Sequence, residues 1–88
     1  MYKIILAPCV FKQIEQLSNF EKKKLNHVFS ELSIDPYSRY DANEMRGGSF
    51  TRYRCKFGDH RIIYSIIDAR VEVYVLKVGH RGTVYKDE

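Results

Sequence analysis

The most constraining feature of this chain is an alternation of apolar and basic side chains that leads into a two-residue turn. In "FTRYRCKF" (residues 50–57), aromatic residues and a cysteine alternate with arginine and lysine, and "HRIIYSII" (residues 60–67) follows after Gly58-Asp59. Period two is the period of a β-strand, and glycine supplies the positive φ of a tight hairpin. The turn predicts three opposed pairs: Phe57 with His60, Lys56 with Arg61, and Arg54 with Ile63.

Opposed residues share a face, so this register sorts the side chains into two sets. Asp68-Ala69 predicts a second turn, and residues 70–78, "RVEVYVLKV", predict a third strand. The predicted core face carries Tyr53, Cys55, Phe57, His60, Ile62, Tyr64, Ile66, Val71, Val73 and Val75. The predicted outer face carries Arg52, Arg54, Lys56, Arg61, Ile63, Ser65, Glu72, Tyr74 and Leu76. A slip of one residue would bury the cations, which strongly favours this register.

The N-terminal part has a different period. Residues 2–6 predict a short strand, and Pro8 is suited to the first turn of a helix over residues 8–17. "SNFE" (residues 18–21) is a capping box that begins a second helix. That helix has apolar residues at helical spacing (Leu25, Val28, Phe29 and Leu32), and Asp35-Pro36 ends it near Ile34. Residues 35–49 are polar and predict a loop.

These elements predict an α+β fold: an N-terminal strand, an antiparallel two-helix hairpin, then a three-stranded antiparallel meander with both helices on one face. With 88 residues, one domain over residues 1–88 is expected.

"MYKIILA" has too short an apolar run for an export signal, so the cytoplasm is the expected location. No apolar run is long enough for a membrane span. Cys9 and Cys55 lack close spacing and predict reduced thiols, and the histidines form no zinc pattern.

The chain has a net charge of +4, and the excess is clustered. Between residues 46 and 61, Asp59 is the one acid, and the cations are Arg46, Arg52, Arg54, Lys56 and Arg61. An ordinary solvated face is the alternative reading, but such faces mix charge signs because opposed like charges are destabilising. The clustering favours an anionic partner such as phosphate. His80, Arg81 and Tyr85 follow the last strand and could contribute a titratable ring, a phosphate contact and a stacking surface.

"MRGGSFTRYRCKFGDHRIIYSIID", followed by "VYVLKVGHRGTVY", resembles the RelE branch of the RelE/ParE toxin superfamily. The resemblance follows the order of elements along the whole chain and is most specific over residues 45–85. It implies a RelE-like microbial RNase fold and the toxin of a type II toxin–antitoxin pair. Such a toxin cleaves mRNA in the ribosomal A site without a metal or other cofactor. The ribose 2′-hydroxyl attacks the adjacent phosphate, leaving a 2′,3′-cyclic phosphate and a 5′-hydroxyl.

The resemblance also implies residue roles. Arg61 and Arg81 would stabilise the transition state, Lys56 would assist deprotonation of the 2′-hydroxyl, and Tyr85 would orient or stack the nucleotide. The resemblance also maps a functional position onto Arg54 in the basic strand. Arg46 and Arg52, from the clustering of charge, and His80, from its place after the last strand, are predicted with Arg54 as RNA-binding residues. Relatives often have lysine at the position of Arg54, and arginine is a poor base because it stays protonated. The general base is therefore open between Lys56, His80 and Tyr85.

Besides mRNA, the implied partner is a cognate antitoxin, acidic and partly disordered, that covers the cations or the helices. Two other functions fit the same element order. One is a ParE-like inhibitor of DNA gyrase without nuclease activity. The other is a silent relative that acts mainly as an antitoxin-bound repressor component.

Overall fold

The computed structural model describes residues 1–37, 43–45 and 52–80, and for Asn43–Met45 it describes the backbone only. The elements in chain order are β1 (Lys3–Leu6), α1 (Pro8–Glu15), α2 (Asn19–Ile34), β2 (Asn43–Met45), β3 (Arg52–Phe57), β4 (His60–Ile67) and β5 (Glu72–His80). In these residues the strands form one sheet in the order β1-β5-β4-β3-β2. The predicted α+β class is confirmed, with the helical hairpin packed on one face of the sheet.

Both helices begin as the sequence predicts. Pro8 occupies the first turn of α1, where its missing N–H costs no hydrogen bond. Ser18 caps α2: its Oγ accepts from the Glu21 N–H at 3.1 Å, and Glu21 Oε1 accepts from the Ser18 N–H at 2.9 Å. This reciprocal pair satisfies two donors that the first turn of a helix would leave exposed.

The β3–β4 hairpin has the predicted register. Phe57 pairs with His60, Lys56 with Arg61 and Arg54 with Ile63. Gly58 has φ +60°, whereas Asp59 is not in the left-handed region. A positive φ at the first central residue alone is typical of a type II′ turn, whose twist matches that of the flanking strands.

The core lies between the helices and the inner face of the sheet. Three buried residues of α2 and one of α1 meet the alternate residues of β3, β4 and β5. The buried core residues are Val10, Leu17, Leu25, Val28, Leu32, Cys55, Phe57, Ile62, Tyr64, Val73, Val75 and Val78. Each large side chain buried here contributes about 1.5–3 kcal/mol relative to an exposed position.

The prediction for residues 35–49 is wrong at Asn43–Met45, which form β2 and pair antiparallel with β3. The segment lacks apolar periodicity because it is a short edge strand, and its pairing partner, not its own sequence, makes it a strand. The position of β1 was also not specified by the sequence. It pairs in parallel with β5, so the helical hairpin forms the first part of the connection between the two strands.

The second turn is longer than predicted. Asp68–Arg70 form a 3₁₀ turn, and Val71 follows in the left-handed region with φ 54° and ψ 49°. The third strand therefore begins at Glu72 and not at residue 70, and Val71 is not a core residue. Its side chain is 46% exposed.

A bulge interrupts the alternation of faces in the second half of β5, beyond the residues whose faces the sequence predicted. Tyr64 pairs with Val75 and Ile63 with Lys77, so Leu76 has no partner in β4. After this extra residue the alternation is inverted: Val78 points to the core and Lys77 takes a position on the outer face. The strand continues to His80, one residue beyond the predicted exit at Gly79.

Beyond β1, helix α1 protects the edge of β5. The Val78 N–H donates to Gln13 Oε1 at 2.7 Å, and the Cys9 thiol approaches the Leu76 carbonyl at 3.4 Å. These contacts satisfy backbone groups that an uncovered edge strand would offer to another chain. Both cysteines are free; Cys9 is exposed and Cys55 is buried.

Val71 provides a test of backbone strain. Branched residues rarely adopt the left-handed region, and asparagine adopts it more readily. We expect Val71→Asn to raise the free energy of unfolding by about 1 kcal/mol, measured by chemical denaturation. Val71→Thr keeps the branched carbon and should give no such gain. An equal gain in both variants would contradict the backbone explanation.

Asp68 connects the second turn to two distant segments. Its carboxylate accepts hydrogen bonds from the Tyr2 hydroxyl at 2.8 Å and from the Tyr37 hydroxyl. The bond from Tyr37, followed by that from Tyr2, lowers the pKa of Asp68 below its ordinary 3.8. The same bonds raise the pKa values of both tyrosines.

These shifts predict a pH dependence with a definite sign. A carboxylate with a lowered folded pKa contributes stability above its unfolded pKa and loses it as the pH falls through the folded value. Asp68→Asn should therefore be less stable than the wild type at neutral pH, and the difference should shrink as the pH falls below 3.8. Unfolding free energies measured across this range would contradict the assignment if the difference stayed constant.

Candidate functional site

The outer face of the sheet, opposite the helices, carries a group of cations that we call the cation face: Arg52, Arg54, Lys56, Arg61 and Lys77. Three of them come from β3, because its period of two sends Tyr53, Cys55 and Phe57 to the other side. Lys56 is exposed, and the other four are half-buried.

Nearest the turn, Lys56 lies opposite Arg61, and Arg61 lies opposite Gly79. Directly opposed residues of an antiparallel pair have Cβ atoms about 4.5–5.5 Å apart, so the two cations are close neighbours. Glycine contributes no side chain to this row. The row therefore presents two adjacent cations with no side chain from β5 beside them.

The next row contains a residue that sequence reasoning missed. Arg54 lies opposite Ile63, and Ile63 lies opposite Lys77. Lys77 reaches the cation face only because of the bulge at Leu76. The sequence contains a sign of this bulge in "LKV" (residues 76–78). Val73 and Val75 are two residues apart, but the next valine follows after three, which indicates one extra residue in the strand.

The centre of this face is not a solvated surface. Ile63 is completely buried and Ser65 is 7% exposed, although both lie on the outer side. Arg54 and Lys77 flank Ile63, and side chains of this kind cover apolar surface with their stems while their charged ends remain in solvent. The cations therefore surround an apolar centre.

Arg61 has a defined orientation. Its Nη1 donates a hydrogen bond of 2.9 Å to the backbone carbonyl of His60. A guanidinium has five N–H donors, so Arg61 can still donate hydrogen bonds from its other nitrogens to a planar or tetrahedral anion.

The structure does not bring His80 to the cation face. His80 pairs with His60, which pairs with Phe57, so these three residues share the helix side of the sheet. Ring contacts agree: His60 stacks on Phe57 with centroids 5.1 Å apart, and His80 meets His60 edge to face at 5.9 Å. His60 Nδ1 lies 3.4 Å from Glu21 Oε2 at the start of α2.

Three predicted site residues, Arg46, Arg81 and Tyr85, lie outside the described residues. Within the described ranges, no group of three histidine, cysteine, aspartate or glutamate side chains could hold a metal ion. No helix in those same ranges is long and apolar enough to cross a membrane.

An apolar groove of about 440 Å³ lies further along the sheet. It is lined by Ser65, Ile66, Ile67, Tyr74 and Leu76. Ser65 and Tyr74 form one row of the β4–β5 ladder, two residues along β4 from Ile63. The cation face is thus continuous with an apolar surface on the same sheet.

Comparison with known proteins shows the family. Residues 9–85 match the family model described as the ParE toxin of the type II toxin–antitoxin system parDE. The chain belongs to this toxin family. Its similarity to solved RelE structures places it in the RelE-like branch of the RelE/ParE superfamily. A comparison with curated protein sequences gives no significant match.

Two solved structures have about a quarter of their residues in common with this toxin. RelE in the archaeal RelE–RelB complex from Pyrococcus horikoshii OT3 is 26% identical, with a TM-score of 0.82 and coverage of 93% of this chain and 97% of that chain. The isolated E. coli RelE toxin is 25% identical, with a TM-score of 0.77 and coverage of 99% and 94%. A metal-bound toxin from Helicobacter pylori, 18% identical, shares the fold with a TM-score of 0.79 over 93% and 97% of the two chains.

The buried centre of the cation face can be tested by substitution. Ile63→Ala should lower the free energy of unfolding by about 2–5 kcal/mol, as for a core isoleucine, because the side chain is completely buried. Ile67→Ala, at a half-buried position of the same strand, should cost less. Denaturant unfolding of both variants measures the difference, and a negligible loss for Ile63→Ala would show that the outer face is solvated there.

Proposed function

We propose that this toxin is a metal-independent endoribonuclease that cleaves mRNA in the ribosomal A site, with the cation face as its RNA-binding surface. The observation that carries the proposal is the opposition of Lys56 and Arg61 beside the β3–β4 turn, with Arg54 and Lys77 in the next row. Close like charges are unfavourable in the free protein. An RNA phosphate between them would accept charge-assisted hydrogen bonds from both side chains.

In the proposed reaction the 2′-oxygen of one nucleotide attacks the adjacent phosphorus, and the bond to the 5′-oxygen of the next nucleotide breaks. The 2′-hydroxyl proton goes to a base, and the leaving 5′-oxygen takes up a proton. The products are a 2′,3′-cyclic phosphate and a 5′-hydroxyl. Negative charge accumulates on the phosphorane oxygens, so preorganised cations stabilise the transition state more than the substrate.

Arg61 is suited to the charge on the phosphorane because its guanidinium is oriented by the His60 carbonyl. Arg54 positions and neutralises but does not accept a proton. Arg52 and Lys77 extend the RNA contact along the face. Arg46 keeps the RNA-binding role that the clustering of cations in the sequence predicts. Arg81 and Tyr85 keep the charge-stabilising and nucleotide-orienting roles that the family resemblance implies.

The proton acceptor in this proposal is Lys56 or Tyr85. His80 is less suited, because its ring lies on the helix side of the sheet against His60. A general base must be within hydrogen-bond distance of the proton it removes, directly or through one water.

We also propose a cognate antitoxin as the partner in the cytoplasm. The toxin in the P. horikoshii structure is bound to RelB. An acidic antitoxin segment would neutralise the cation face, and an apolar side chain of that segment would fit the groove beside Tyr74. Bound in this way, the antitoxin would compete with RNA for the same surface.

The second candidate is inhibition of DNA gyrase without nuclease chemistry, which the match to the ParE family model favours. The two functions differ in one measurable respect. A gyrase inhibitor blocks supercoiling at stoichiometric concentration and leaves mRNA on the ribosome intact.

The deciding experiment incubates programmed ribosomes with the full chain and maps mRNA ends by primer extension. We expect cleavage within the A-site codon and no loss of gyrase supercoiling. Arg61→Ala should reduce the cleavage rate about 100-fold or more, as expected for removal of a group that stabilises transition-state charge. Lys56→Ala, Arg81→Ala and Tyr85→Phe in the same assay distinguish charge stabilisation from proton transfer.

Lys77→Ala tests the part of the cation face that the bulge creates. We expect a loss of about threefold to tenfold, mainly as weaker binding, because a flanking cation positions RNA without contacting the reacting phosphate. Lys23→Ala, an exposed cation on α2, is the matched control and should cleave like the wild type. Intact mRNA with the wild-type toxin would exclude the proposed activity.

A further inference from the structure

Glu21 has a second function besides capping α2. Its Oε1 accepts from the Ser18 N–H at 2.9 Å, whereas its Oε2 lies 3.4 Å from His60 Nδ1. The capping hydrogen bond from Ser18 is the main cause that lowers the pKa of Glu21, and His60 lowers it further, so the carboxylate is charged. One side chain thus fixes the start of α2 and contacts the first residue of β4.

The side chain of His60 is held by contacts with its neighbours. Its side chain is 15% exposed, its ring stacks on Phe57 at 5.1 Å, and the His80 ring meets it edge to face at 5.9 Å. The turn beside it also approaches α2: a Cβ at Gly58 would lie 4.0 Å from Lys24 Nζ. A residue held in this way has little freedom to rotate its backbone.

The backbone carbonyl of this fixed residue is the acceptor for Arg61 Nη1, at 2.9 Å. The imidazole of His60 points to the helix side, and the next residue along the strand points to the cation face. We infer that Glu21 and His60 are positioning residues for Arg61: the carboxylate fixes the imidazole, and the carbonyl of the same residue orients the guanidinium. As a role in catalysis, this inference rests on the proposed function.

The physical gain is preorganisation. A free arginine side chain has many rotamers, and transition-state stabilisation is most effective when donors are oriented before the reaction. The helix side of the sheet thereby influences the chemistry on the opposite side without contacting RNA. Removing the contact should affect the catalytic step more than RNA binding, because the charge of Arg61 remains.

Glu21→Gln is the sharpest variant, because glutamine at this position preserves a capping box while the negative charge toward His60 is lost. We expect kcat in the ribosome assay to fall about threefold to tenfold with KM unchanged. His60→Phe keeps a ring to stack on Phe57 and should cause a similar loss. The double variant should be no worse than either single variant, because both remove the same contact.

Glu31→Gln is the matched control. Glu31 belongs to the same helix and also faces a histidine, with Oε1 3.8 Å from His27 Nε2, but that pair is exposed and lies away from the turn. This variant should cleave at the wild-type rate. In an Arg61→Ala background, Glu21→Gln should cause no further loss, whereas an equal loss there would show a merely structural role and overturn the inference.

A second measurement separates this inference from the proposed function. NMR relaxation of the Arg61 side-chain nitrogens in the free toxin, without ribosomes or RNA, reports the mobility of the guanidinium directly. We expect greater mobility in Glu21→Gln and His60→Phe than in the wild type and in Glu31→Gln. Unchanged mobility overturns the inference even if the toxin cleaves mRNA. Increased mobility supports the positioning of Arg61 even if the toxin does not cleave mRNA.

Discussion

The register of the β3–β4 hairpin is the constraint on which the rest of this structure depends. The positive φ of Gly58 closes the turn, and Phe57 then lies opposite His60. The same register that buries Cys55 and Phe57 against the helices places Lys56 opposite Arg61 on the other side. Core formation and assembly of the cations are therefore one event, since a slip of one residue would exchange the two sets.

The energies explain why the clustered cations are tolerated. Opposed like charges on a sheet are destabilising, but cross-strand pairs in general are worth only about 0.2–1 kcal/mol, whereas burial of a residue such as Phe57 or Ile62 contributes about 1.5–3 kcal/mol. The apolar face thus determines the register, and the charges follow. Clustered positive charge attracts an anionic partner, and in the proposed function that partner is RNA or, in the inactive state, the antitoxin.

Features set by nearby residues could be predicted from the sequence: the capping box, the limits of α2, the Gly58 turn and three opposed pairs of the hairpin. Features set by distant pairing could not. Strand β2 depends on β3, the place of β1 depends on β5, and the bulge at Leu76 depends on how β5 meets β4. The candidate site follows the same division, because the cations of β3 and β4 were predicted whereas Lys77 was missed.

Near the β3–β4 turn, the face of the sheet on which a side chain lies limits the part that it can take in the proposed mechanism. His80 and His60 lie on the helix side with Phe57, so the proposed mechanism assigns the proton transfer to Lys56 or Tyr85 and not to His80. In the inferred arrangement the helix side is still connected to the proposed reaction. Because successive residues of a strand alternate in direction, His60 contacts Glu21 with its ring while its carbonyl binds Arg61. A histidine whose ring lies away from the cation face would therefore still orient Arg61, the residue to which the proposed mechanism assigns the stabilisation of transition-state charge.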